Sequence, residues 1–364
     1  MHFLGKQVSV SVFGQSHSAG IGAVIEGLPA GFRVDEERLM GFLGRRAPGQ
    51  GRFTTARKEA DVPEFLSGMQ DGYTCGAPIC AVIRNGDTRS KDYDQFRQVP
   101  RPSHADYPAM VKYGEHYDIR GGGPFSGRLT APICIAGGIA LQILEEKGVR
   151  VGAHIASISN QTDRRFDPLR VSAADFDMIE ANGFPTLSKE AGEEMLAVIE
   201  EARKAEDSVG GTVEAAAIGL PAGLGGPLFE GLESALAAAC FAIPAVKGVE
   251  FGDGFFSALL KGSQHNDLYA MSQGRVVTKT NHAGGLVGGM TTGMPLILRA
   301  AFKPTPSIGQ AQRSVNLEEG RETQLTIKGR HDPCVVPRAV PVVEAVIALV
   351  LIDAMLGNSG KGTK

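Results

Sequence analysis

The chain has 364 residues, 43% hydrophobic and 21% charged, a globular balance that excludes wholesale disorder and supplies enough apolar residues for a large core. Its formal net charge of −3 argues against a generic nucleic-acid binder, which would carry a strongly basic domain. Five cysteines with no C-x-x-C pair suggest neither a disulfide framework nor a zinc ribbon, and 48 glycines without a collagen period point to turns, close backbone approaches and ligand loops.

In chain order, the first residues (Met1-His2-Phe3-Leu4-Gly5-Lys6) lack the charged-then-apolar layout of a leader, so the expected location is cytoplasmic. A β-rich run at residues 22–27 enters the turn Gly27-Leu28-Pro29-Ala30-Gly31, ahead of a helical pattern. A second β-rich run covers 79–84, and residues 131–144 form a helix apolar on nearly every face. Residues 188–204 read as an ordinary surface helix, with Ser188 as its cap and a dense acidic face. A strand at 212–219 then runs into Gly219-Leu220-Pro221-Ala222-Gly223, repeating the earlier five residues in the same strand–turn–helix order. A second all-round apolar helix follows at 232–243, then strands at 296–301 and 323–327, and a third apolar helix at 340–356. The segment 339–356 is apolar enough to test as a membrane span, but it carries Pro341, Glu344 and Asp353 and is read as buried, with no membrane partner.

Helices apolar on all sides must be covered on all sides. The predicted class is therefore α+β, a β-α-β sandwich with apolar helices packed between antiparallel sheets, internally pseudo-symmetric about the repeated five residues. With no long linker between the halves, residues 1–356 are expected to form a single domain and 357–364 a disordered tail.

Neither G-x-G-x-x-G nor G-x-x-x-x-G-K-[ST] occurs, so the common dinucleotide and P-loop readings fail. The candidate chemistry sits in Gly- and Arg-rich turns. Gly14-Gln15-Ser16-His17-Ser18 places a hydroxyl beside an imidazole between glycines, suited to an anion or a proton. Arg45-Arg46-Ala47-Pro48-Gly49-Gln50-Gly51-Arg52 is read as a turn, because arginines broken by Pro and Gly cannot make a regular salt-bridged helix face; their guanidinium forks suit carboxylates and phosphates. Arg101-Pro102-Ser103-His104-Ala105-Asp106 and Arg120-Gly121-Gly122-Gly123-Pro124-Phe125-Ser126-Gly127-Arg128 follow. The last of these stands just before the apolar helix at 131, whose N-terminal amides favour anions. Later come Asn281-His282-Ala283-Gly284-Gly285, Lys303-Pro304-Thr305-Pro306-Ser307-Ile308, and Gly329-Arg330-His331-Asp332-Pro333-Cys334 with Arg338 beyond. Each has a plain alternative as a solvated turn, and Asp332 is either a base or a partner for Arg330. Together they describe a small polyanion site with two candidate proton-transfer histidines, His17 and His104.

Seven motifs in order, G-x-S-H, R-R-x-P-G-x-x-R, R-P-S-H-A-D, R-G-G-G, N-H-A-G-G, K-P-T-x-S-I and G-R-H-D-P-C, resemble the chorismate synthase family across nearly the whole chain. The resemblance implies a β-α-β sandwich, usually a homotetramer, that eliminates phosphate and a ring proton in anti-1,4 fashion from 5-enolpyruvylshikimate 3-phosphate. It also implies reduced FMN, thought to lend and recover an electron, with NADPH a possible reductant. By that resemblance His17 protonates the departing phosphate, His104 protonates the reduced flavin, and Ser16, Ser126 and Asp332 relay the ring proton. Arg46, Arg52 and Arg128 hold the substrate, with Arg338 a further candidate. Ser126, Ala245, Gly288, Lys303, Pro304, Thr305, Pro306, Ser307 and Arg330 contact FMN. Three positions depart from the family pattern: Gln15 replaces a glutamate, Pro124-Phe125 replaces an Arg-Ser pair, and Pro244 stands before Ala245 where Asn is usual. The competing reading is a non-catalytic FMN- or phosphate-binding paralogue. A phosphoryl transferase is disfavoured, since no acidic Mg²⁺ cluster accompanies the arginines.

Overall fold

The computed structural model describes residues 1–49, 61–86, 90–327 and 332–358. Strands β1 (His2–Leu4), β2 (Ser9–Gly14), β3 (Gly20–Glu26), β4 (Glu64–Ser67) and β5 (Ile79–Arg84) form one antiparallel sheet in the order β1-β2-β3-β5-β4. Strands β6 (Arg150–Ile158), β7 (Gln161–Thr162), β8 (Gly211–Ile218), β9 (Val246–Phe251) and β10 (Leu296–Phe302) form a second, in the order β9-β10-β8-β6-β7. Helices α1 (Glu36–Arg46), α2 (Asp106–Tyr113), α3 (Thr130–Glu146), α4 (Ala173–Ala181), α5 (Lys189–Lys204), α6 (Leu232–Phe241) and α7 (Val336–Asn358) complete the main elements.

The predicted sandwich is what forms. Helix α3 packs on β2, β3 and β5, α7 packs on β6 and β8, and the two helices pack on each other between the sheets. Gly137 brings them close, since a Cβ there would run into the backbone of Ala345. Ile135, Ile139, Ile347 and Ile352 are fully buried in this layer, each stabilising the fold by about 1.5–3 kcal/mol on burial. The helical stretch Gly127–Glu146, which is α3 with the turn before it, and α7 are long and apolar enough to cross a membrane, yet 83% and 78% of their most apolar stretches are buried inside the protein. The charged residues of α7 explain themselves. Glu344 takes both Nη atoms of Arg45 at 2.8 Å and the Ala153 amide at 3.0 Å, while Asp353 accepts from the backbone amides of Lys6, Gln7 and Val8.

The five-residue repeat marks a structural duplication. Gly27 and Gly31 have φ of 85° and 82°, Gly219 and Gly223 have 81° and 90°, conformations that glycine adopts without strain. Thr74 accepts from the Phe32 amide at 3.0 Å and donates to the Pro29 carbonyl at 2.6 Å. Thr291 does the same for the Leu224 amide and the Pro221 carbonyl, at 2.9 and 2.6 Å. Each unit runs strand, strand, five-residue turn, helix, short hairpin, strand, so β2-β3-β5 matches β6-β8-β10 and α1 matches α6.

Three expectations change. Arg45 and Arg46 are not in a turn but form the last turn of α1, favourable for cations at a helix C-terminus. The strand foreseen at 323–327 is Arg321–Leu325; it pairs with Gln312–Asn316 outside both sheets and covers a small cluster with Phe96, Tyr117 and Ile119 rather than the apolar helices. Helix α7 runs to Asn358, two residues into the expected tail, and residues 359–364 lie outside the described residues. Strands β2 and β6 had no assignment from sequence. Ser188 caps α5 as expected, accepting from the Ala191 amide at 3.2 Å.

Candidate active site

A cleft of about 1340 Å³ opens beside the start of α3 and runs along α7 from its first turn to Asn358. Its polar wall is built from three loops that sequence alone could not join. The first is the glycine turn at 120–125, in which Gly121, Gly122 and Gly123 all have positive φ (61°, 84° and 53°), a run that side chains with a Cβ would strain. A Cβ on Gly121 would meet Ser16 Oγ and come within 2.8 Å of His17 Nε2, and a Cβ on Gly122 would lie 3.4 Å from His104 Nε2. The two histidines therefore flank consecutive glycines of one turn. Ser16 and His17 sit a layer behind the cleft, on the short β2–β3 connection. His17 meets Tyr93 edge to face at 5.1 Å, and Ser16 Oγ is buried without a hydrogen-bond partner among the described residues. His104 lines the cleft directly.

The loop bearing His104 is clamped to the loop after β10. Lys303 Nζ donates to the Ser103 carbonyl at 2.5 Å and Arg101 Nη1 to Ser307 Oγ at 3.2 Å. Ser103, just before His104, holds φ at 57°, a sparsely populated conformation for a residue other than glycine. Lys303, Thr305, Pro306 and Ser307 line the cleft with Ser126 and Ala245, and Thr305 Oγ1 is a second buried hydroxyl with no partner among the described residues. Pro304 is exposed beside them. Gly288 is not brought in: it lies in the exposed turn between Leu286–Val287 and Met290–Thr291. Phe125 and Tyr113 add an aromatic wall, their rings 6.5 Å apart.

Arg46, Arg128 and Arg338 reach the same cleft. Arg46 donates to Thr130 Oγ1 at 3.0 Å, to Asp61 at 2.6 Å and to the Gly127 carbonyl at 3.0 Å. Arg128 pairs with the same Asp61 and donates to Asn85 Oδ1 at 3.1 Å. Arg338 pairs with Asp332 at 2.6 Å and donates to the Arg46 carbonyl. Burial, then Arg338 close by, bring Arg46 down to about 10, so it remains a cation at neutral pH. Burial works to raise the Asp61 carboxyl, but Arg46 and Arg128 overcome it and hold Asp61 below its ordinary value. Sequence reading missed Asp61 and gave Arg101 no role of its own. Asp61 is separated from its arginines along the chain and carries no local pattern, whereas Arg101 was legible in the R-P-S-H-A-D run. Arg52 and Arg330 lie outside the described residues. Ser126, whose Oγ accepts from the Arg128 amide at 3.3 Å, sits where the glycine turn passes into α3.

The arrangement can bind a multiply charged anion along the arginine wall and pass protons on either side of one glycine turn. The chain matches the chorismate synthase family model over residues 8–356. It is 49% identical over 353 residues to the chorismate synthase of Thermococcus gammatolerans, covering 97% of each chain, and 46% identical over 362 residues to that of Lancefieldella parvula, covering 96% of this chain and 95% of the other. A crystal structure of chorismate synthase superposes with a TM-score of 0.76 at 28% identity, covering 98% of this chain and 94% of that one. Family, relatives and fold agree, and this chain is a member of the chorismate synthase family.

Proposed function

We infer that the chain performs the family's reaction, the anti-1,4-elimination of phosphate from 5-enolpyruvylshikimate 3-phosphate to give chorismate, a carbon–oxygen lyase step. The observation that carries the assignment of roles is the pair of histidines on consecutive glycines of one turn, beside a wall of arginines. The substrate's two carboxylates and phosphate match that wall in charge. Arg46, Arg128 and Arg338, with Arg52, hold these groups, and their cations neutralise charge as phosphate leaves. His17 delivers a proton to the departing phosphate, and Ser16, Ser126 and Asp332 carry the ring proton away.

Reduced FMN is the proposed cofactor, reduced either by NADPH or by an external reductant. The residues fit the group: Ser126, Ala245, Lys303, Thr305, Pro306 and Ser307 share one cleft, the Thr305 hydroxyl is left without a partner, and Phe125 and Tyr113 offer flat apolar surface. When bound, reduced flavin supplies an electron and recovers it, so no net oxidation results. His104 holds a proton at Nε2, on the cleft side of the glycine turn. Arg330 is proposed for the same site. Gly288 reaches this cofactor only if a second copy supplies it or the hairpin moves. A homotetramer fits the large apolar side chains left exposed, among them Phe229 and Phe255 at 99% and 84%. We also propose one domain spanning 1–356 and a cytoplasmic location.

The test is an anaerobic assay with chemically reduced FMN and 5-enolpyruvylshikimate 3-phosphate, following chorismate and phosphate together. Equal appearance of both is expected. Tight FMN binding without product would establish the non-catalytic paralogue instead.

A further inference from the structure

Asp106 is fully buried, and its partners come from one loop. It accepts from Arg101 Nε at 2.7 Å, Arg101 Nη2 at 2.8 Å and the Arg101 amide at 3.1 Å. Its Oδ1 also lies 2.6 Å from His104 Nδ1, while Arg101 Nη2 stands 3.1 Å from the same nitrogen. Of the two groups at Nδ1, the carboxylate at 2.6 Å is nearer than the guanidinium at 3.1 Å, and Arg101 Nη2 already donates to Asp106 Oδ1 at 2.8 Å, so the geometry favours a proton on Nδ1 directed at Asp106. The other ring nitrogen, Nε2, then faces the glycine turn at Gly122, next to Gly121, which lines the cleft with His104. Arg101 itself is buried, stacked over the Phe96 ring at 4.5 Å and tied to Ser307 across the cleft. The charged groups that face His104 are Asp106, Arg101 and, from the loop after β10, Lys303.

We propose that Asp106 and Arg101 are positioning residues for His104. Asp106 keeps a permanent proton on Nδ1, so that only Nε2 gains or loses one at the cleft, and Arg101 keeps Asp106 ionised while preventing the imidazolium from persisting. This rests on the proposed role of His104 as a proton carrier. Two cations and one carboxylate around the ring oppose each other by design, and the balance fits the direction found. Burial lowers the His104 pKa, the Asp106 hydrogen bond works against it, and the net position is below the ordinary value. Asp106 itself is held well below its ordinary value: burial would raise it, but the hydrogen bonds from Arg101 and His104 prevail. In this arrangement a proton on Nε2 is readily given up, as a carrier requires.

The tautomer is measured first, by ¹⁵N resonances of histidine-labelled, unsubstituted protein, with His104 assigned by difference from His104→Ala. An Nδ1–H, unprotonated Nε2 ring is expected above the His104 titration, and the reverse tautomer overturns the proposal whatever the activity. Next, Asp106→Asn is expected to lower kcat by about tenfold or more with KM within about twofold, and to move the His104-dependent limb of the pH profile to lower pH. Arg101→Gln should move the same limb to higher pH. In the His104→Ala background, Asp106→Asn should change kcat by less than about twofold. An unshifted limb, shifts of the same sign in both variants, or an undiminished cost in the His104→Ala background would overturn it. If unsubstituted protein makes no chorismate, the reaction assignment fails, while the tautomer measurement still decides the geometry.

Discussion

The two pseudo-symmetric units use the same scaffold for different ends, and the difference lies in the connection between their first two strands. In the first unit, β2 and β3 are joined by the short segment 15–19, which holds Ser16 and His17 against the glycine turn. In the second, β6 and β8 are joined by residues 159–210, which contain β7, α4 and α5. That longer excursion covers the outer face of its sheet, and beneath it lies His154, fully buried, with Nε2 3.1 Å from Glu214 and Nδ1 3.3 Å from Asp163. Glu214 continues to Arg299 at 3.2 Å, and Arg299 to Glu250 at 2.7 Å. Burial would lower the His154 pKa, but hydrogen bonds to Asp163 and Glu214 carry it above its ordinary value. One unit leaves its histidine near a cleft; the other seals its histidine inside an ion network. A related contrast follows the matched helices. Arg46 ends α1 and Pro48-Gly49 turns away with φ of 86°, while α6 ends in Phe241 and Pro244-Ala245 turns with φ of 74°. Both turns line the cleft, one bringing charge and the other apolar surface.

If that division is right, substitutions in the first unit should act on turnover and those in the second on stability. His17→Ala is expected to slow the anaerobic reaction by about 10²–10⁴-fold while leaving the melting transition in place. His154→Leu leaves the buried Asp163 without its cation and Glu214 with Arg299 alone, a loss of about 3–5 kcal/mol, readable as a lower denaturant midpoint with kcat unchanged in the folded fraction. Equal damage to turnover from both would break the comparison. Gly121→Ala tests the shared turn: a Cβ must displace Ser16 and His17, so kcat should fall by about tenfold or more at unchanged secondary structure by circular dichroism.

The matched threonines sharpen the duplication itself. Thr74→Val and Thr291→Val each leave an amide and a carbonyl of the repeated turn without a partner, costing about 1–3 kcal/mol, and the two costs should agree within experimental scatter. A large difference would mean the turns are alike in shape but not in their importance to folding. The smallest effects are in pH. Asp61 and Asp106 titrate lower in the folded than in the unfolded chain, so their contribution is complete above the unfolded carboxylate value of about 4 and disappears as pH falls through the folded values. His154 has the opposite sign: its contribution is present below about pH 6.5 and is lost as pH rises through its elevated folded value. Denaturant midpoints should therefore fall at both ends, and His154→Leu should remove the alkaline loss only.

Much of this architecture is written locally. Helices α3 and α7 are apolar on every side and need cover on every flank, which the two sheets and each other provide, so the buried helical layer follows from composition along the chain; α6, read as equally apolar, instead leaves Ser234, Ala235, Ala238 and Phe241 exposed. The repeated five residues fixed the duplication, because glycine at both ends of the turn has a conformational reason that any strand–turn–helix context preserves. Ser16, His17, His104, Ser126 and Asp332 were legible as chemical groups in loops. Their neighbours were not. Asp61 joins Arg46 and Arg128 from positions 15 and 67 residues away, and the hydrogen bond that ties the legible Arg101 to Ser307 spans 206 residues. Hydrogen-bond partners at such separations leave no periodicity to read. Whether Arg45 and Arg46 belonged to a helix or a turn was likewise decided by tertiary contacts, since the buried Glu344 of α7 and Asp61 supply the counter-charges that let two adjacent arginines end a helix at the core. Sequence determined the layers, the repeat and the reactive groups; tertiary structure alone decided which charges meet, because Coulomb and hydrogen-bond partners are chosen by distance in space and not along the chain.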